Sequence, residues 1–169
     1  MGRDKALLPF RGGTLAESVA ATVARAAGCA TLVGAPDLYQ SLGLPVIADR
    51  YPGEGPLGGI LTALHHTAAD WNLVTACDMP ALTGEFLSEL MATAERVDAD
   101  ALVPAGPSGM LEPLCAVYHR RALAGLESPF AAGVRKIAQA LEAVRAVRFP
   151  VLEVSCFQNV NTPEEWSRL

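Results

Sequence analysis

Three side chains and one glycine-rich stretch have the types and settings that phosphate or metal chemistry needs. They are Lys5, Asp49, Asp78 and the YPGEGPLGGI of residues 51–60. Asp78 follows the apolar run Leu73–Cys77 and precedes Met79-Pro80. The proline restricts Met79 to extended geometry, so the carboxylate leaves a strand abruptly. An aspartate there can bind a divalent cation that bridges phosphate oxygens, or it can cap the next turn or helix. Asp49 ends the short run PVIAD and can accept a hydrogen bond from a base or a ribose, or serve a turn. Lys5 sits beside the apolar ALLP and can aim its ammonium at a polyphosphate; a lone lysine near a terminus is more often solvated. In the 51–60 stretch, Gly53, Gly55, Gly58 and Gly59 permit close approach of backbone to a flat ligand or a phosphate. The helix beginning near Leu57 offers free N–H groups and a positive dipole end. The plainer alternative is a flexible loop and a helix start packed tightly on a sheet. Its spacing is neither G-x-G-x-x-G nor a Walker motif.

The elements that must position these residues alternate. TLAESVAATVARAAG has Thr14 as N-cap, Glu17 three residues on and Gly28 as the stop, which predicts a helix. Strands are expected at CATLVG, PVIAD, NLVTACDMP, DALVPA, EPLCAVYH and VRAVRFPVLEV. Helices are expected at GPLGGILTALHHTAAD, TGEFLSELMATAERV, GVRKIAQALEAV and TPEEWSRL. GPSGM, residues 106–110, is expected to be a mobile surface turn. This alternation implies βαβ units and an α/β fold with a mainly parallel sheet. Ligands of open α/β sheets sit beyond the carboxyl ends of the strands. That directs attention to Ala35 onward, Asp49, Asp78 and Pro104 onward.

The chain has 169 residues, 51% of them hydrophobic, which suits one domain (1–169) with a single core. Its net charge of −5 argues against a protein whose main task is gripping nucleic acid, though not against binding one nucleotide. No apolar run approaches the roughly 20 residues of a membrane span, and no signal peptide is visible. The four cysteines are widely spaced with no C-x-x-C. A reducing cytoplasm is the expected home. His65 and His66 are adjacent on a predicted helix, the wrong spacing for a metal pair, and read as surface or interface residues. His119 has no evident partner. Asp98 and Asp100 form a D-x-D resembling the metal motif of some glycosyltransferases, but their polar helix-to-strand link suggests solvated acids.

The order of the segments is more specific than any one of them. MGRDKALLPFRGGTL, VIADRYPGEGPLGGI, VTACDMPAL, EPLCAVYHRRAL and FQNVNTPEEW resemble the molybdenum cofactor guanylyltransferases, over nearly the whole chain. These belong to the cofactor and sugar nucleotidyltransferases with a Rossmann-like three-layer sandwich. The G-P-L-G-G-I element and the N-V-N-T-P ending are the more specific parts. The resemblance implies that Lys5 contacts the nucleotide phosphates and that Asp78 is the magnesium ligand. It implies a guanosine pocket made by Asp49 with Gly55, Pro56, Leu57 and Gly58. Asn159 and Asn161 are implied on the molybdopterin side, and Glu112-Pro113-Leu114 matches a family segment. Where the family often has an asparagine after the second strand, this chain has Gly34, so that side-chain hydrogen bond is absent. The family also begins with a buried strand and an L-A-G-G-x-S-x-R-M-G loop, whose end aligns with Met1-Gly2. Either the true start lies upstream or the chain is a truncated product; we expect the first, because the remaining chain is a coherent match, and the lost strand would be central in the sheet while the lost loop would give N–H donors to phosphate.

The implied reaction is transfer of GMP from GTP to the terminal phosphate of molybdopterin, with release of pyrophosphate and with Mg²⁺ as cofactor. A monomer or weak oligomer is expected. The rivals are a cytidylyltransferase or other cofactor nucleotidyltransferase of the same fold, an inactive nucleotide-binding remnant, and a glycosyltransferase using Asp98 and Asp100.

Overall fold

The computed structural model describes residues 4–158. A four-stranded sheet forms its centre, in the order β5 (Trp71–Thr75), β7 (Cys115–His119), β6 (Ala101–Ala105), β8 (Ala146–Pro150). Successive side chains on a strand point to opposite faces, and both faces here are apolar. Ala101, Val103, Ala116 and Tyr118 bury against α3 (Pro56–His66) and α5 (Ala122–Ala131). Leu102 and Val117 bury on the other face, with Leu90 and Ala94 of α4 (Gly84–Ala94). Helix α1 (Leu15–Ala27) packs beside α4 and against β5. This is the three-layer α/β sandwich expected from the sequence.

Within it the sheet is mixed rather than mainly parallel. β6 and β8 run parallel, but β7 runs antiparallel to both of its neighbours. The cause is chain length: the link 106–114 between β6 and β7 is shorter than the roughly dozen residues a parallel crossover needs. β3 (Leu32–Gly34) and β4 (Val46–Ala48) form a separate parallel pair. Among the described residues no ladder joins β3 to β5, and each has one lateral edge without a strand partner.

Helix termini follow the sequence signals closely. Thr14 and Glu17 form a complete capping box on α1, and Gly28 ends it in the left-handed region at φ 84°. Thr83 Oγ1 accepts from Phe86 N at the start of α4. The C-terminal third departs from expectation. α5 falls where the pattern assigns no element, because Gly125 and Pro129 both count against a helix. Gly125 is required there: a Cβ would stand 2.5 Å from Val144 Cγ1. The helix expected from Gly133 shrinks to a short turn, α6 (Ile137–Ala140), because Gly133 adopts φ 92°. Residues 106–110 form an exposed turn closed by Gly106 N donating to Met110 O and Gly109 N to Gly106 O. Among the described residues no helix is long and apolar enough to cross a membrane.

Candidate active site

The first segment of the site is a capped turn. Asp4 Oδ1 accepts from Ala6 N at 3.0 Å and starts a 3-10 turn over Lys5–Leu7. A hairpin follows, β1 (Pro9–Phe10) against β2 (Gly13–Thr14). Its two turn residues, Arg11 and Gly12, both have positive φ, 49° and 86°, as a type I′ turn demands. Leu15 N donates back to Leu8 O. Phe10 and Leu15 then bury in one apolar cluster with Met79 and Leu82, the residues just beyond Asp78. Met79 is 3% exposed; burying such a side chain contributes roughly 1.5–3 kcal/mol. That cluster ties the N-terminal turn to the chain leaving β5.

As a result Lys5 Nζ lies 3.7 Å from Asp78 Oδ2, with side chains 33% and 19% exposed. A long, part-exposed contact of this kind contributes no more than about 1 kcal/mol. Backbone and core packing, not the ion pair, hold the two groups side by side. A phosphate can therefore enter between them at small cost. Cys77 sits in the same field. Burial first, then the Asp78 and Asp4 carboxylates, push its thiol up to about 11, with Lys5 pulling the other way.

Asp49 stands at the end of β4. Its Oδ1 accepts from Tyr51 N at 3.0 Å and from Thr62 Oγ1 at 2.9 Å. Thr62, 2% exposed within α3, also accepts from Arg50 N. One carboxylate oxygen of Asp49 is thus committed to the turn, while Oδ2 has no hydrogen-bond partner among the described residues. The two readings of Asp49, turn residue and ligand acceptor, are compatible: one oxygen each.

The adjoining glycine loop divides in the same way. Gly55 caps α3 at φ 79° with Pro56 at the first turn, where a missing N–H costs nothing, and Gly58 N donates to Gly55 O. Leu57 is fully buried, backbone included, in the core beside Ile60 and Leu61. Gly58 is a packing glycine: a Cβ would meet Tyr51 Cβ at 2.9 Å and Tyr51 O at 3.3 Å.

One residue that the sequence did not single out connects these halves. Tyr39 closes α2 (Pro36–Tyr39), and its Oη donates to Asp4 Oδ2 at 2.5 Å. Its ring crosses Gly34, where a Cβ would stand 2.6 Å from Tyr39 Cε2. Gly34 O in turn accepts from Asp49 N at 3.1 Å. Contacts therefore run from Asp49 through Gly34, Tyr39 and Asp4 to the turn carrying Lys5. Asp4 lies within the MGRDKALLPFRGGTL segment; Thr62 and Tyr39 carried no local signal, since only the fold brings them to their partners. Asn159, Asn161 and the helix expected at TPEEWSRL lie outside the described residues.

The remaining candidates have other partners. Asp98 binds Arg145 at 2.5 and 2.7 Å, and Asp100 accepts from Arg121 Nε at 2.6 Å and from Arg145 N at 2.9 Å. They are ion-paired between β6, β7 and the approach to β8, not merely solvated. His65 meets Glu127 of α5 at 2.6 Å. His119 Nδ1 accepts from Arg121 N, and its ring lies edge-on to Trp71. Glu112 has its carboxyl raised by burial. No group of three or more His, Cys, Asp or Glu converges as a metal cage among the described residues.

Comparison with known proteins bears on this arrangement. Residues 1–147 match the family model of the MobA-like NTP transferase domain. A probable molybdenum cofactor guanylyltransferase of Deinococcus radiodurans is 35% identical over 168 residues, spanning 99% of this chain and 86% of that protein. One from Carboxydothermus hydrogenoformans is 32% identical over 176 residues, spanning 100% and 88%. The crystal structure of molybdopterin-guanine dinucleotide biosynthesis protein A from Archaeoglobus fulgidus superposes with a TM-score of 0.81 at 30% identity, covering 99% of this chain and 89% of that one. With a match of that extent on both sequence and fold, the chain belongs to the MobA-like NTP transferase family.

Proposed function

We propose that this protein transfers GMP from GTP to the terminal phosphate of molybdopterin and releases pyrophosphate. The reading is carried by one observation, the Lys5 ammonium beside the Asp78 carboxylate at the exit of β5, in a chain of this family. In the reaction an acceptor phosphate oxygen forms a bond to the α-phosphorus of GTP. The bond from that phosphorus to the oxygen bridging to the β-phosphorus breaks, and its electron pair leaves on pyrophosphate. No covalent enzyme intermediate is needed, because the nucleophile is already an anion.

The difficulty is the approach of one anion to another. Asp78 suits Mg²⁺, which takes one or two carboxylates and completes its shell with water and substrate phosphate oxygens. A part-exposed carboxylate with no all-protein cage around it among the described residues matches that habit. Bound there, a divalent cation neutralises phosphate charge. Lys5 stabilises the charge that builds on the leaving pyrophosphate. Asp49, through Oδ2, accepts from the guanosine, and the exposed Gly55 and Pro56 form the adjoining wall, with Leu57 and Gly58 packed behind them. With Oδ1 taken by Tyr51 N and Thr62 Oγ1, Oδ2 is the oxygen left to accept from a guanine N–H or a ribose hydroxyl. Asn159 and Asn161 serve the molybdopterin side.

The test is pyrophosphate release from GTP, and separately from CTP, with molybdopterin and Mg²⁺. Release with GTP, and at a much lower rate with CTP, is expected. A preference for CTP would reassign the base, and no release with either would remove the transferase reading.

A further inference from the structure

We propose that Tyr39 is a positioning residue for Lys5, acting through Asp4, and that Gly34 is required to let it do so. The inference rests on the proposed transferase reading for its activity readout. The geometry behind it is continuous. Asp4 uses both carboxylate oxygens: Oδ1 caps the turn that carries Lys5, and Oδ2 takes the Tyr39 hydroxyl. Without Tyr39 the carboxylate keeps, among the described residues, a single local bond, to a backbone N–H two residues ahead. With it, Asp4 is anchored to the helical turn after β3, an element rooted in a separate strand pair. The hydroxyl remains a donor, because burial first and the Asp4 carboxylate second hold the phenol in its protonated form.

Gly34 has a positive part in this. The Tyr39 ring occupies the space that any side chain at position 34 would need. Gly34 also hands its carbonyl to the Asp49 amide. So the latch joins the turn bearing the phosphate-side lysine to the strand end bearing the base-side aspartate. Loss of the Tyr39 hydroxyl leaves the Lys5 turn capped and packed on the chain leaving β5, but released from the strand end that bears Asp49, so the ammonium is held less closely against a triphosphate whose base is bound there. Charge on the leaving group builds only in the transition state, so the loss falls on kcat more than on KM.

The experiment is a double-mutant cycle in the GTP, molybdopterin and Mg²⁺ assay, with thermal melting of every variant. Tyr39→Phe keeps the ring over Gly34 and removes only the hydroxyl. It is expected to lower kcat about tenfold, the size of one hydrogen bond to a charged acceptor, with KM for GTP changed less. On a Lys5→Ala background the same change should cost little further, because its target is gone. Asp4→Asn, which keeps a capping oxygen, should repeat the pattern. Gly34→Ala should lose kcat by displacing the ring. A general structural role would instead lower the melting point and give equal losses with and without Lys5, and that result overturns the proposal. If Tyr39→Phe does not fold, Asp4→Asn with and without Lys5 decides by the same criterion. Wild-type turnover separately tests the transferase reading. Should the wild type bind Mg²⁺-GTP without turnover, the same cycle read as GTP affinity decides the latch. A wild type that does neither overturns both.

Discussion

Lys5 Nζ and Asp78 Oδ2 stand 3.7 Å apart, brought there by two short segments that share a core cluster through Phe10, Leu15, Met79 and Leu82. The contact is too long and too exposed to organise the site by itself. What matters is that a cation and an anion are fixed side by side at a strand exit. This allows each to be removed without unfolding the chain. Asp78→Ala should lower GMP transfer by more than about 100-fold, and Lys5→Ala by about 10- to 100-fold, as expected for groups that meet transition-state charge. Melting temperatures should stay within a few degrees of wild type. The check is steady-state kinetics beside calorimetry of the same samples.

Thr62 gives a second prediction. Its hydroxyl donates to Asp49 Oδ1 and accepts from Arg50 N inside the fold. Thr62→Val removes both bonds at constant shape and leaves the aspartate turn with only the Tyr51 amide. Stability should fall by about 1–2 kcal/mol, and KM for GTP should rise severalfold while kcat changes less. Denaturant unfolding and initial rates read the two effects separately.

Gly58 and Gly59 should behave oppositely although they are neighbours. A Cβ at Gly58 meets Tyr51 at 2.9 Å, whereas nothing stands within 4 Å of one at Gly59. Gly58→Ala should destabilise by about 1–3 kcal/mol. Gly59→Ala should leave stability unchanged or raise it by up to about 1 kcal/mol, as alanine gains in a helix interior. Urea midpoints decide between them.

The acids of the D-A-D segment should matter for stability and not for transfer. Asp100 has its carboxyl held below the usual range by the Arg121 side chain first and the Arg145 amide second. Its folded-state affinity for protons is therefore weaker than in the unfolded chain. The stability it contributes is present above the unfolded pKa, near 4, and is lost as pH falls through the lower folded value. Asp100→Ala should cost about 1–2 kcal/mol at pH 7, with GMP transfer retained. The stability gap to wild type should narrow in acid. A variant that melts normally and loses transfer would instead support a catalytic role for Asp100.

Cysteine chemistry gives a probe of the site that needs no substrate. With its thiol pushed up to about 11 by burial first and by the Asp78 and Asp4 carboxylates after it, Cys77 is largely protonated at pH 8. Cys29 is exposed. Iodoacetamide at pH 8 should modify Cys29 first, read by peptide mass spectrometry. Cys77 should become reactive as pH rises towards 11, and Mg²⁺-GTP should protect it.

Much of this arrangement is written locally in the chain. The Thr14–Glu17 box and Gly28 bound α1 because caps are decided by neighbours in sequence. The strand exits that carry Asp49 and Asp78 follow from apolar runs ending in acids. Other parts depend on distant contacts. α5 forms despite Gly125 and Pro129 because Leu126 and Phe130 bury in the core, a tertiary gain that outweighs local preference. The antiparallel course of β7 is set by the length of one loop. Tyr39 belongs to a short exposed linker in the sequence, and only the fold carries its hydroxyl to Asp4. Leu57 shows the converse: its place in the G-P-L-G-G-I element suggests a ligand wall, yet its side chain is core.

The most direct test is a crystal structure with GTP and Mg²⁺ bound. The metal should lie about 2.1 Å from an Asp78 carboxylate oxygen, with triphosphate oxygens within hydrogen-bonding reach of Lys5 Nζ. Metal and phosphates seated together elsewhere, out of reach of both side chains, would contradict the account.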